Sequence, residues 1–146
     1  MKFWDSSAVV ALIIDVQRST AAQAVIDEDS QMLVWWTTRV ECVSALARLE
    51  RQHTLTGHEL EEALTTLDSL SSEWHEIQPV DRVRQSARRL LRVHPLDAAD
   101  ALQLAAAVIG SEGQLKPFQF VSFDARLTDA AQREGFPVLE LADGTG

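Results

Sequence analysis

The sequence predicts an α/β fold in which a central, mainly parallel sheet carries helices on both faces. Three observations lead there. Short runs rich in aromatic and β-branched residues alternate with stretches of helical periodicity along the chain, as consecutive strand–helix units require. The glycines and prolines fall between these segments, and no repeat, low-complexity tract or linker interrupts them. The 146 residues, 46% of them hydrophobic, are enough for one domain, residues 1–146, with a core of its own.

Taken in order, Lys2-Phe-Trp-Asp5 reads as a short buried first strand. Ser6 to Ile14 follows as a helix, because Ala8, Val9, Leu12 and Ile13 recur at the spacing of one helical face. Ser19 to Asp29 is a second helix, rich in Ala and Gln, and Met32 to Trp36 the next strand. Of the adjacent Trp35 and Trp36, one is expected in the core and the other at an interface. The helix Thr38 to Gln52 has Val40, Val43, Leu46, Ala47 and Leu49 or Glu50 marking its faces, and Thr38 with Glu41 spells a capping box. Thr56 with Glu59 spells another and opens a helix toward Ser71. Trp74 to Val80 is a short extended run. Asp81 to Val93 is helical and is ended by Pro95. Leu96 to Ile109 is a helix whose alanines allow close packing on a sheet. After a turn at 110–116, Phe118 to Asp124 reads as an apolar strand ending in a carboxylate, Ala125 to Arg133 as a helix, and Phe136 to Leu139 as a last short strand.

Composition narrows the function. A formal net charge of −9 argues against broad attraction to nucleic acid and leaves room only for a local basic stripe. No apolar run approaches the roughly 18 residues of a membrane span. Lys2 is followed at once by Phe-Trp-Asp, so a secretory signal is not expected. The single Cys42 permits no internal disulfide and fits a reducing, cytoplasmic location. Nothing beside Cys42 lowers a thiol pKa, which makes it a small buried residue and not a nucleophile. His53, His58, His75 and His94 lack metal-ligand spacing and read as surface or boundary positions.

The acids are more informative. Asp5 ends the first strand, Glu41 lies in the first turn after the second, Asp97 and Asp100 begin the small-residue helix, and Asp124 ends a later strand. All belong to the strand-end, helix-start edge, where open α/β sheets bind ligands. Apolar neighbours bury them partly, and clustered carboxylates repel unless a cation sits among them. For hard oxygen ligands that cation is Mg²⁺ or Mn²⁺. The competing explanation is local, since acids at these positions also cap helices and complement their dipoles; Asp97 has the strongest case.

Asp5-Ser-Ser-Ala-Val-Val-Ala-Leu, Glu41 at a helix start, Asp100-Ala-Leu-Gln-Leu-Ala-Ala-Ala, and Val-Ser-Phe-Asp124-Ala-Arg-Leu-Thr-Asp-Ala-Ala occur in an order and spacing that resemble the PIN-domain proteins, and among them the VapC-type ribonuclease toxins. The resemblance implies a three-layer α/β/α sandwich and a Mg²⁺- or Mn²⁺-dependent endoribonuclease acting on RNA. It also implies a cognate antitoxin that binds and blocks the toxin. Asp5, Glu41, Asp100 and Asp124 match the family's acidic quartet, Ser7 matches a small polar position that supports the site, and Ser122 fits a polar position near the fourth acid. Asp97 stands as an auxiliary acid. A catalytically silent PIN-fold binding module is the alternative. A receiver-type phosphoacceptor domain fits poorly, because Asp5 is followed by Ser-Ser and no lysine lies near the last strand.

For RNA contact the candidates are Arg84, Arg88 and Arg92, a column on the helix from Asp81, with Arg82 and Arg89 beside it, and Arg126 close to Asp124. A solvated face paired with nearby acids is the alternative. Leu60, Leu64 and Leu67 are expected as exposed apolar positions, candidates for a homodimer or antitoxin surface.

Overall fold

Alternation along the strands decides where the core lies. The computed structural model describes residues 1–14 and 19–141. In β1 (Lys2–Trp4), β2 (Met32–Trp35) and β4 (Phe120–Ser122), Phe3, Leu33, Trp35 and Phe120 point to one face, and Trp4, Met32, Val34 and Val121 to the other. Register aligns the like-facing residues, with Phe3 opposite both Leu33 and Phe120 and Trp4 opposite Val121. The Phe3 and Phe120 rings stack with centroids 5.3 Å apart, and Phe136 meets Phe120 edge-on at 6.0 Å.

Each face is then covered by helices. Against the Phe3 face lie α5 (Asp81–Val93), α6 (Ala98–Ser111) and α7 (Ala125–Arg133). Against the Trp4 face lie α1 (Ser6–Ile14), α2 (Ser19–Glu28), α3 (Thr38–Arg51) and α4 (Gly57–Ser71). This is the expected α/β/α layering. The alanines of α6 let it approach the sheet closely: a Cβ on Gly110 would come within 3.0 Å of Ile77 and 3.2 Å of Leu33. Among the described residues no single helix is long and apolar enough to cross a membrane.

With β3 (His75–Ile77) and β5 (Val138–Glu140), the sheet runs in the order β3-β2-β1-β4-β5, every neighbour parallel. The chain winds outward from β1 to β3, then returns to build β4 and β5 on the other side of β1. The reversal lies between β1 and β4, and the crevice at the carboxyl ends of those two strands is where such sheets bind ligands. Asp5 follows β1 and Asp124 lies two residues past β4.

Several expectations change. The strands are shorter than their apolar runs: β4 pairs only over Phe120–Ser122, because neighbouring β1 and β5 are themselves three residues long. On α3 the buried line is Thr38, Cys42 and Leu46, while Val40 and Val43 are exposed. Thr38, on the buried line, accepts a buried hydrogen bond from Gln103 at 2.9 Å. On α4, Leu67 is 1% exposed and packs into the Trp4-side core, and Leu60 and Leu64 are half-buried, so the exposed stripe does not exist. His94 is buried, 2.7 Å from Glu134, whose other oxygen binds Arg89; a partner 40 residues away satisfies a side chain that read as a boundary position. The tryptophans divide as expected, Trp35 in the core and Trp36 half-exposed.

Candidate active site

Asp5 is the deepest of the acids. Its N–H donates to the Val121 carbonyl at 3.1 Å, tying the end of β1 to β4, and its side chain is 3% exposed. Oδ1 accepts from the Ala8 N–H at 3.0 Å, and Oδ2 from the Ser122 hydroxyl at 2.9 Å. The Ser7 hydroxyl lies 2.8 and 3.0 Å from the two oxygens. Both serines are held in turn, Ser7 Oγ accepting from Phe123 N–H and Ser122 Oγ from Asp124 N–H, each at 2.9 Å. The two hydroxyls therefore clamp the Asp5 carboxylate to the segment that carries Asp124. Despite these donors, burial pushes the Asp5 carboxyl up to about 7, with the Asp124 charge adding to the shift.

Asp124 caps α7, its Oδ1 accepting from Arg126 N–H at 3.0 Å and Leu127 N–H at 3.2 Å. Asp97 caps α6 by accepting from Asp100 N–H at 2.9 Å and is exposed. Capping is thus real at Asp5, Asp97 and Asp124, and it does not compete with clustering, because the same helix starts line the crevice. Asp100 is half-buried; burial first, then the charges of Asp124, Asp97 and Glu41, push it up to about 6. Glu41 is raised by burial and by Asp97, against hydrogen bonds from Thr37 and Gln103. Asp5, Glu41, Asp97, Asp100 and Asp124 thus all stand at or near helix starts on the carboxyl-end edge of the sheet, near enough for Asp124 to act on Asp5, Asp97 on Glu41, and Asp124, Asp97 and Glu41 on Asp100.

The expected capping box at Thr38 and Glu41 does not form. Thr37 is the N-cap of α3 and makes no side-chain cap; its hydroxyl donates to Glu41 Oε2 at 2.9 Å. The same oxygen accepts from Gln103 Nε2 at 2.7 Å. Thr37 and Gln103 thus both hold the candidate residue Glu41, and the sequence reading singled out neither. Gln103 carried a signal, as the one polar residue in the Ala101 to Ala107 stretch of a buried helix. Cys42 is buried and its thiol is pushed up to about 12, by burial and then by Glu41 and Asp5, so it is no nucleophile.

The donor set suits a hard divalent cation. All of it is carboxylate oxygen, and the charges acting on Asp5, Glu41 and Asp100 are one another's and those of Asp97 and Asp124, with no basic group among them. Among the described residues no three acidic, histidine or cysteine side chains are gathered closely enough, as they stand, to hold a metal ion. Oxygens of Asp5, Glu41 and Asp124 are instead turned to hydroxyl, amide and backbone donors. Each carboxylate has about four acceptor directions, so capacity remains for an ion that keeps several waters.

The arginines divide. Arg84 pairs with Asp81, Arg82 with Glu112 and Arg89 with Glu134, as a solvated face would. Arg88, Arg92 and Arg126 have no ion-pair partner among the described residues. Arg88 and Arg92 border a groove of about 410 Å³ that reaches Ala98 at the start of α6, beside Asp97.

The PIN domain family matches residues 2–133. Ribonuclease VapC45 and Ribonuclease VapC49, from two strains of Mycobacterium tuberculosis, are each 31% identical over 134 residues, covering 91% of this chain and 90% of the relative. Among solved structures, PAE2754 from Pyrobaculum aerophilum superposes with a TM-score of 0.62 at 21% identity, over 95% of this chain and 89% of that one. FitAcB from Neisseria gonorrhoeae gives 0.63 at 16% identity, over 96% and 97%. At those identities the structures speak for the fold, whereas the family match and the mycobacterial relatives span nearly the whole sequence. A five-stranded parallel sheet with acids at its switch point, that match and those relatives lead to one conclusion: this chain belongs to the PIN-domain family, alongside the VapC ribonucleases.

Proposed function

We propose that this protein is a Mg²⁺- or Mn²⁺-dependent endoribonuclease and the toxin of a type II toxin–antitoxin pair. The observation that carries the reading is the placement of the acids: Asp5, Glu41, Asp100 and Asp124 stand at helix starts along the carboxyl ends of the strands of a PIN-family sheet, and among the described residues none of them is paired with a basic side chain. Crowded, partly buried negative charge is stable as such only with a cation, and oxygen donors select hard ions. The ribonuclease names of the mycobacterial relatives support RNA as the substrate class.

In this reading Asp5, Asp100 and Asp124 hold the ion and Glu41 completes the set. The chemistry such an ion supplies when held there is acidification of a water and neutralisation of charge on the scissile phosphate. The protein's own part is positioning. Ser7 and Ser122 keep the Asp5 carboxylate from rotating at the carboxyl end of β1. Thr37 and Gln103 occupy Glu41 Oε2, which leaves Oε1 to orient an attacking water and accept its proton. Asp97 adds negative potential beside Asp100 and Glu41. Arg126, Arg88 and Arg92, which have no ion-pair partner among the described residues, contact RNA phosphates, with Arg84 joining when Asp81 releases it. The exposed apolar residues Trp36, just before α3, and Val40 and Val43, in its first turns, are the surface for the cognate antitoxin, and the protein works as a cytoplasmic homodimer.

The test follows cleavage of an end-labelled RNA with EDTA, Mg²⁺ or Mn²⁺, in wild type and in Asp5→Asn, Glu41→Gln, Asp100→Asn and Asp124→Asn. Cleavage is expected only with a divalent ion and is expected to fall by about 100-fold or more in Asp5→Asn. Metal-independent cleavage, undiminished in that variant, would sink the reading. Growth arrest on expression, relieved by co-expressing a small neighbouring reading frame, tests the toxin assignment.

A further inference from the structure

We infer that Gln103 is a positioning residue for the metal-dependent reaction, setting the orientation of Glu41 from a neighbouring helix; this rests on the nuclease reading above. Gln103 is 1% exposed, on α6, one turn after Asp100. Both protons of its amide nitrogen are used. One goes to Thr38 Oγ1 at 2.9 Å, the other to Glu41 Oε2 at 2.7 Å. Thr38 is fully buried, so one end of this bridge is anchored in the protein and the other ends on a carboxylate at the crevice.

Packing does not explain an amide here. Around it along α6, Ala101, Leu104, Ala105, Ala106 and Ala107 are fully buried and apolar, and Leu102 is partly buried. The carbonyl end of the side chain, Oε1, is buried without a hydrogen-bond partner among the described residues. A methionine or leucine would fill similar space and strand no acceptor, so the amide is retained at a stability cost. The opposite assignment of the amide would set that carbonyl against the Glu41 carboxylate, which accounts for the nitrogen facing it. What the amide provides is a short, charge-assisted bond that holds one Glu41 oxygen. Thr37 donates to the same oxygen at 2.9 Å. Glu41 is thereby fixed through Oε2 from α6 and from its own N-cap, and Oε1 is the oxygen that these two bonds leave unoccupied. Because Asp100 sits one turn earlier on α6, the same helix sets two acids relative to each other.

The test is Gln103→Met, which keeps length and approximate volume but removes both donors. Mn²⁺ binding is measured by titration calorimetry on the full chain, with thermal melting in EDTA as the fold check. Binding is expected to weaken about 10-fold, the usual effect of removing a group that orients a metal ligand. In a Glu41→Gln background the same substitution is expected to change Mn²⁺ affinity less than about twofold, because Gln103 acts through Glu41. Unchanged affinity in Gln103→Met, or an equal loss in both backgrounds, would overturn the inference. Were wild type itself to bind no Mn²⁺, the nuclease reading would fail, and this inference with it. If the variant does not fold, the side-chain amide signals of Gln103 in the wild-type ¹⁵N spectrum decide: they are expected to shift on Mg²⁺ addition, and signals that stay fixed would overturn the role.

Discussion

Replacing Asp5 with Asn should make the metal-free protein more stable at alkaline pH while abolishing its response to metal. Burial holds the folded Asp5 carboxyl at about 7, against an ordinary 3.8. The unfolded chain therefore gives up this proton near pH 4, while the folded chain keeps it to near neutrality. A raised acid binds more protons in the native state, so stability falls as pH rises between those values and levels off above the higher one. A gap of about 3 at about 1.4 kcal/mol each bounds the effect at about 4 kcal/mol. Asp5 is 3% exposed, so little is lost to screening, while local relaxation makes about 1–3 kcal/mol the working expectation. Asparagine retains an acceptor for Ala8 N–H and Ser7 and offers a donor to Ser122 Oγ, so the clamp is kept. At pH 8 in EDTA the variant should melt roughly 3–9 °C higher, and at pH 5 the difference should be less than half as large. Asp100 and Glu41 are also raised, but they act alike in both proteins. Glu134 is lowered, chiefly by Arg89, and its contribution is lost only as pH falls below the ordinary carboxylate range, outside this window. The assay is urea denaturation at pH 5, 6, 7 and 8 with and without Mn²⁺, where added ion should stabilise wild type only. A variant less stable than wild type at pH 8, or a gap independent of pH, would refute the claim that Asp5 is held charged at a cost.

Three further outcomes separate roles that the fold superimposes. Asp124→Ala should lose about 1 kcal/mol with the two N–H groups it caps, whereas Asp124→Asn should keep that stability and lose the Mn²⁺-induced melting shift; equal destabilisation by both would reduce Asp124 to a cap. Arg88→Glu with Arg92→Glu should lower the slope of log RNA affinity against log salt by roughly 2, and an unchanged slope removes the column from the interface. Leu67→Ala should cost about 2–5 kcal/mol in urea denaturation because the side chain is 1% exposed; a loss below about 1 would return it to the surface.

Much of the site was legible because its residues stand at element boundaries. Asp5, Asp97 and Asp124 each follow a strand or precede a helix, and those transitions are written locally, as a change of period from 2 to 3.6. The reading was less sure where one side chain had two local explanations. Thr38 and Glu41 obey the capping-box spacing, yet Thr38 is spent on Gln103 and Glu41 on Thr37 and Gln103. On α3 the residues marking its faces left the inward side open, and the structure buries Thr38, Cys42 and Leu46 while Val40 and Val43 are exposed. Leu67 and His94 were misplaced for a common reason, since burial depends on what packs over a residue and not on the residue's own polarity.

The sequence by itself determined the order of strands and helices, the close-packing helix at Ala98–Ser111 and the acids at the helix starts. Those features follow from torsional preference, side-chain period and capping, which act over a few residues. Tertiary structure alone decided that β4 returns beside β1, so that Ser122 reaches Asp5 across 117 residues and Gln103 reaches Glu41 across 62. It also decided the depth at which Asp5 is desolvated, and hence a carboxyl raised to about 7. Desolvation and hydrogen-bond satisfaction are sums over everything that surrounds a group, and in a parallel sheet those surroundings come from distant parts of the chain.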